Sequence, residues 1–157
     1  MAKKDDILQK LREMLAEDAI RMDEAYKAGV AFSAQVPLDK VRDVAAAFKD
    51  GGFYLESVTV LDFQDTVELV YHMNAHEPKS RVSFRALCGH DQPAPTVSDI
   101  FATAEWQERE IHEFFGNPFT GNTDLRRLLL PEDADYYPLK KTFGKVHAYV
   151  KREEIYG

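Results

Sequence analysis

Thr66-Val67-Glu68-Leu69-Val70-Tyr71-His72-Met73 has a period of two, and that period sets the architecture. Val67, Leu69, Tyr71 and Met73 fall on one face of an extended chain, with Glu68, Val70 and His72 on the other. Only Gln64-Asp65 separates this stretch from Phe53 to Phe63, so the two are expected to pair as a hairpin. Arg81 to Leu87 repeats the alternation, placing Val82, Phe84 and Ala86 inward and Arg81, Ser83 and Arg85 outward. Three such segments in succession predict a meander.

The flanking segments switch to helical spacing. Pro37 opens a run in which Leu38, Val41, Ala45 and Phe48 mark one helical face, and Gly51-Gly52 ends it with backbone that tolerates positive φ. Before it, Val30, Phe32, Ala34 and Val36 alternate after Gly29, as a strand does. Ile7, Leu11, Met14 and Leu15 recur behind Asp5-Asp6, so an amphipathic helix ending before Ile20 begins the chain. Beyond the meander, Gly89 to Pro95 breaks the sheet, and Ser98 or Thr96 is expected to cap a third helix running to about Phe115. Gly116-Asn117-Pro118 stops that helix. The expected fold is α+β: a two-layer domain over residues 1–115, with a mixed, largely antiparallel sheet packed by helices. An extended, irregular C-terminal arm of the same domain follows over residues 116–157.

Composition narrows the function classes. The 157 residues suit one domain, and 45% hydrophobic with 30% charged is a globular balance in which no apolar run reaches the ~20 residues of a membrane span. No secretory signal is expected, since Gln9, Lys10, Arg12 and Glu13 interrupt the segment behind Lys3-Lys4. The lone Cys88 cannot hold an iron–sulfur cluster or a structural zinc, and its alternating surroundings read as a small buried hydrophobe in a reducing compartment. A net charge of -7 argues against nucleic acid. The arm runs the other way: seven cations (Arg126, Arg127, Lys140, Lys141, Lys145, Lys151, Arg152) face four anions (Asp124, Glu132, Asp133, Asp135) between Phe119 and Arg152.

The third helix holds the candidate chemistry. At 100° per residue Ile100, Ala104, Ile111, Phe114 and Phe115 share a face that should pack on the sheet. Arg109 points away from it, with Glu105 and Glu113 four residues to either side as ordinary surface partners. Trp106 shares an outward stripe with Glu110 and Glu113, and three places stay open for it: under the arm, in a partner, or in solvent. Catalytic patterns are weak. His112-Glu113 starts like a zinc-protease helix but lacks the second histidine one turn on. His72 and His76 flank a strand end rather than share a helix face, and Glu108 and Glu110 diverge. No phosphate loop or nucleophile elbow is present.

One resemblance is specific. Glu108-Arg109-Glu110, Glu113-Phe114-Phe115-Gly116, Gly121, Asp124-Leu125-Arg126-Arg127-Leu128-Leu129-Leu130-Pro131-Glu132-Asp133 and Pro138-Leu139-Lys140-Lys141 with Phe143 resemble the signature of the 30 kDa subunit family of respiratory complex I. That family, of NADH dehydrogenase type, includes related subunits of complex-I-like membrane-bound nickel-iron hydrogenases. The likeness covers about Ile7 to Phe143, at pattern level only in the upstream half. It implies an α+β fold and no prosthetic group or metal in this chain. It further implies a peripheral position on the cytoplasmic side of the cell membrane, reached only through the complex, with the isolated chain soluble. The implied partners are a large catalytic subunit, of the 49 kDa or hydrogenase type, and a small iron–sulfur subunit. These would carry iron–sulfur clusters and either a quinone site or a nickel-iron centre.

On that resemblance the function is a non-catalytic subunit of a proton-pumping electron-transfer complex of NADH:quinone type. The expected partner-binding residues are Trp106, Arg109, Glu110, Glu113, Arg126, Arg127, Leu128, Lys140 and Lys141. Arg126 and Arg127 would pair with carboxylates and the leucines would anchor the arm, unless the arm folds back over its own sheet. Asn122 and Thr123 stand where the family usually has histidine and proline, and Ala134 to Tyr137 replaces a tryptophan-glycine-histidine stretch. These departures keep open the equivalent subunit of a nickel-iron hydrogenase complex. A stand-alone enzyme using Glu108, Glu110 and His112, or an adaptor without redox work, are the remaining classes.

Overall fold

A computed structural model describes residues 3–23 and 26–144. Lys145, Lys151 and Arg152, counted above among the cations of the arm, lie outside the described residues. The chain order is α1 (Lys3–Met14), β1 (Ile20–Met22), β2 (Phe32–Gln35), α2 (Val41–Asp50), β3 (Tyr54–Asp62), β4 (Val67–Ala75), β5 (Ser80–Cys88), β6 (Ala94–Pro95), α3 (Ala104–Phe115) and β7 (Phe119–Thr120).

The meander forms as its period requires. β4 pairs antiparallel with β3 and with β5, setting Tyr71 opposite both Val58 and Phe84. β2 then joins β5 in parallel, and β1 closes the sheet as an antiparallel edge, giving the order β1-β2-β5-β4-β3. The sheet is therefore mixed and largely antiparallel. No sequence period announces β1: it is three residues long, and only its pairing to β2 makes it a strand.

α2 buries Val41, Val44, Ala45, Ala47 and Phe48. Phe48 stacks on Phe84, which stacks in turn on Tyr71 with ring centres 4.5 Å apart. Ile7, Leu8 and Leu11 of α1 complete this layer. Cys88 lies buried, and burial pushes its thiol up to about 11, so it behaves as the small hydrophobe expected. The opposite face departs from expectation, because Glu68, Val70 and Ser83 are buried as well. Polar groups there close on one another: Arg85 bridges to Glu68 at 3.1 Å, and the parallel register sets Ser83 beside Ser33 at 3.0 Å.

Candidate functional site

α3 begins later than its expected caps. Thr96 and Ser98 do not cap it; the chain from Val97 to Phe101 turns first, and Thr103 occupies the N-cap without a side-chain bond. The Thr96 hydroxyl is instead drawn inward to Glu108, and the Ser98 amide donates to the Thr96 hydroxyl oxygen. At the other end Gly116 takes φ +78 and closes the helix on the His112 carbonyl. Any Cβ at Gly116 would also meet the Tyr137 ring at 3.0 Å.

The helix packs alongside the meander's free edge. The Gln107 carbonyl oxygen accepts the Val58 amide of β3, so one backbone donor of the edge strand is capped. Ala104 and Ile111 are buried as expected, whereas Phe114 and Phe115 are half-buried. The largest side chains of the helix that are fully sealed are carboxylates.

Glu108 is fully buried and accepts bonds from the Thr96 hydroxyl, the Val97 amide (2.8 Å) and the Asn122 side-chain amide (2.9 Å). Burial raises its pKa against the pull of those three donors. Nearby Tyr71 has its hydroxyl buried without a hydrogen-bond partner among the described residues, and burial, then the charge of Glu108, drive its ionisation far up. Glu113 is equally buried but ends in the opposite state. Its carboxylate accepts the consecutive amides of Leu128 (2.9 Å), Leu129 (3.0 Å) and Leu130 (2.7 Å). Burial alone would raise Glu113; the three amides and Arg127 outweigh it and hold the pKa below the ordinary value.

These bonds fasten the arm to the helix. β7 pairs in parallel with β6, burying Phe119. The chain then turns through Gly121 at φ +92, where a Cβ would meet the Thr96 methyl at 2.9 Å. It returns along the outward side of α3. Arg109 donates to the Arg126 and Arg127 carbonyls and reaches Asp124 at 3.5 Å. Arg127 in turn donates to the Glu113 and Ala134 carbonyls. The Leu139 amide meets the Phe114 carbonyl, and the Lys141 amide meets Asp62, which also holds His90 at 2.8 Å.

Within the chain this placement differs from two expectations. Arg109 and Glu113 do not form surface pairs along the helix; the Arg109 side chain is 13% exposed because the arm covers it. Arg127 is spent on carbonyls rather than carboxylates. Arg126 does find a carboxylate, but it is Asp124 two residues earlier, held well below the usual range. Leu128 and Leu130 are half-buried while Leu129 stands 66% exposed. Trp106 is 58% exposed with the Arg109 guanidinium 5.6 Å from its ring, and Glu110 is exposed one turn on. Lys140 lies over the Tyr137 ring at 5.2 Å.

Gln107 and Asp62 are the site residues that sequence reasoning left out; it named Glu108 only as a diverging carboxylate and Asn122 only as a departure from the family pattern, not as bonding partners. Their one signal is a carboxylate or amide on an otherwise packed stretch, and it is visible only once the arm is known to return. The described histidines do not converge. His112 Nδ1 lies 3.0 Å from the Asn117 carbonyl, His72 beside Ser57, and His76 on the Tyr54 ring. Among the described residues no cluster of three or more His, Cys, Asp or Glu is placed to hold a metal. None of the described helices is long and apolar enough to cross a membrane.

The geometry defines a small α+β domain whose edge helix is strapped by its own polar arm. Residues 34–149 match the family described as respiratory-chain NADH dehydrogenase, 30 Kd subunit, and the chain belongs to that family. It is 33% identical over 99 residues to a subunit of the NADH-quinone oxidoreductase of Chloroherpeton thalassium, covering 61% of this chain and 41% of the relative. The mitochondrial NADH-ubiquinone oxidoreductase 30.4 kDa subunit of Neurospora crassa is 32% identical over 92 residues, which make up 57% of this chain and 32% of that one. The chain thus spans about two fifths or less of the length of these curated relatives. A chain of a membrane-bound sulfane sulfur reductase, an archaeal respiratory membrane complex, superposes with a TM-score of 0.76 at 27% identity, covering 92% of this chain and 87% of that one. The trypsin-resistant fragment of Nqo5 shares the fold at a TM-score of 0.62 and 24% identity, over 76% of this chain and 99% of the fragment.

Proposed function

We propose that the chain is a non-catalytic, hydrophilic subunit of a membrane-associated, proton-pumping electron-transfer complex of the NADH:quinone oxidoreductase type. It docks beside the large subunit that builds the quinone site and steadies it, on the cytoplasmic side of the membrane. Membership of the 30 kDa subunit family over residues 34–149 is the observation that carries this reading. The site supports it, since the residues of the signature, with Trp106 just before them, build a fixed surface: Arg109, Glu113, Arg127 and Leu128 secure the arm from within, while Trp106, Glu110, Arg126, Lys140 and Lys141 lie at or toward its outside. Iron–sulfur clusters and the quinone site belong to the partners, a 49 kDa-type large subunit and a small iron–sulfur subunit.

Affinity purification of the tagged chain from its native membrane, with mass spectrometry of what accompanies it, tests the assignment. NADH-oxidising subunits and a quinone-site subunit are the expected company. Recovery of the chain without any respiratory subunit would remove the assignment. A second reading follows from the near-full-length likeness to a chain of the archaeal sulfane sulfur reductase. In it the chain serves a complex of the same architecture with another electron acceptor, the nickel-iron hydrogenase type included. A large subunit recovered without NADH-oxidising subunits would select it.

A further inference from the structure

Arg109 of α3 and the arm's Arg126, Arg127 and Lys140 suggest at first an anionic partner, yet each already has a contact within the chain. Arg109 is 13% exposed and committed to two carbonyls. Arg127 is committed to two others, and Arg126 is gripped through both Nε and a terminal nitrogen by Asp124. Lys140 sits over Tyr137. The carboxylates left on this side are in the reverse condition. Glu105 and Glu110 are exposed on α3, and their carboxylates make no hydrogen bond or ion pair among the described residues.

Of these, Glu110 borders the largest exposed aromatic ring among the described residues, that of Trp106, while Glu105 precedes it on the neighbouring flank of the helix. Trp106 and Glu110 are one helical turn apart, and Phe114, half-buried, is one turn further along the same stripe. The Leu139 amide is held to the Phe114 carbonyl at 3.1 Å, and Leu139 of the arm is itself 54% exposed. Arg109 occupies one flank of the indole and is itself fixed by the arm, so the ring is held in place before any partner arrives. The result is an apolar ridge with an acidic margin. An incoming carboxylate would meet Glu105 and Glu110 and be repelled. A lysine or arginine would meet an indole and a carboxylate together, which strengthens both contacts as water leaves.

We infer that the exposed Trp106–Glu110 face of α3 is a docking face for a basic segment of a partner protein, one that presents lysine or arginine beside apolar side chains. The inference rests on the proposed role as a subunit and names the chemistry of the surface the chain meets there.

Two measurements on the full chain in its native complex test it. In carbodiimide footprinting with glycine ethyl ester, Glu105 and Glu110 are expected to label in the isolated chain and to be protected in the complex, while exposed Glu17 and Asp39 label in the isolated chain as internal controls. In tagged purification, Glu105→Lys with Glu110→Lys is expected to recover about tenfold less of the partner subunits, as like charges then face each other. Lys79→Gln, exposed in the turn between β4 and β5, by contrast recovers them at the wild-type level. Should the double reversal fail to fold, Glu110→Gln is read instead, and its recovery is expected to fall less steeply with added salt than that of the wild type. Unchanged labelling of Glu110, wild-type recovery by the reversed chain, or an unchanged salt dependence in Glu110→Gln would each overturn the inference while leaving the subunit assignment standing. A wild-type chain that recovers no respiratory subunit removes the assignment first, and this inference with it.

Discussion

Glu108 and Glu113 stand five residues apart on one helix, both sealed from solvent, and are driven to opposite electrostatic ends. Three backbone amides converge on Glu113, and a carboxylate so served is stabilised in its charged form. Removing it with Glu113→Ala strands those donors and is expected to cost about 3 kcal/mol. Chemical denaturation measures the loss, and faster hydrogen exchange at Leu128 to Leu130 locates it. The two residues also separate in pH. Glu113 has a depressed pKa in the fold, so its contribution is present above the unfolded glutamate value, about 4.3, and is lost as pH falls below it. Glu108 has a raised pKa, so protonating it on the way down in pH adds stability relative to the unfolded chain. Glu113→Gln should therefore flatten the acid limb of the stability profile, and Glu108→Gln should remove an opposing rise, both read from unfolding midpoints across pH 3 to 7. Neither role was legible in the sequence. A helical wheel assigns one buried face, and α3 has two because a segment more than ten residues later returns across it.

The elements with a strong local period were legible. The meander followed from alternation, and α2 from its apolar face and its glycine stop, because in both cases the pattern spans the whole element. What escaped were elements defined by a distant partner: β1, which needs β2; the short β6–β7 ladder; and the arm, which looked irregular because its backbone groups bond side chains instead of neighbours. The free edge of β3 is managed in the same way. Gln107→Ala would leave the Val58 amide without its acceptor, and a loss of about 1 kcal/mol in thermal or denaturant unfolding is expected. Gly116→Ala tests the junction of helix and arm. It combines a left-handed backbone with a 3.0 Å approach to Tyr137, so destabilisation of about 1–2 kcal/mol is expected, with the Tyr137 ring displaced in a crystal structure of the variant.

At the scale of the molecule, the single tryptophan gives assembly an optical readout. Trp106 is exposed in the isolated chain, so its emission should shift to shorter wavelength when the ridge is covered. An unshifted spectrum in the assembled complex would show that the ridge stays in water. The parallel pairing of β2 with β5 carries a different consequence, one of timing. Ser33 and Ser83 are 50 residues apart, whereas each hairpin of the meander closes over a few residues. Closing the long loop costs chain entropy that the hairpins largely avoid, so β3, β4 and β5 can zip together before β2 finds its place. During synthesis the segment around β2 leaves the ribosome first yet must wait, unpaired on that side, until β5 has emerged.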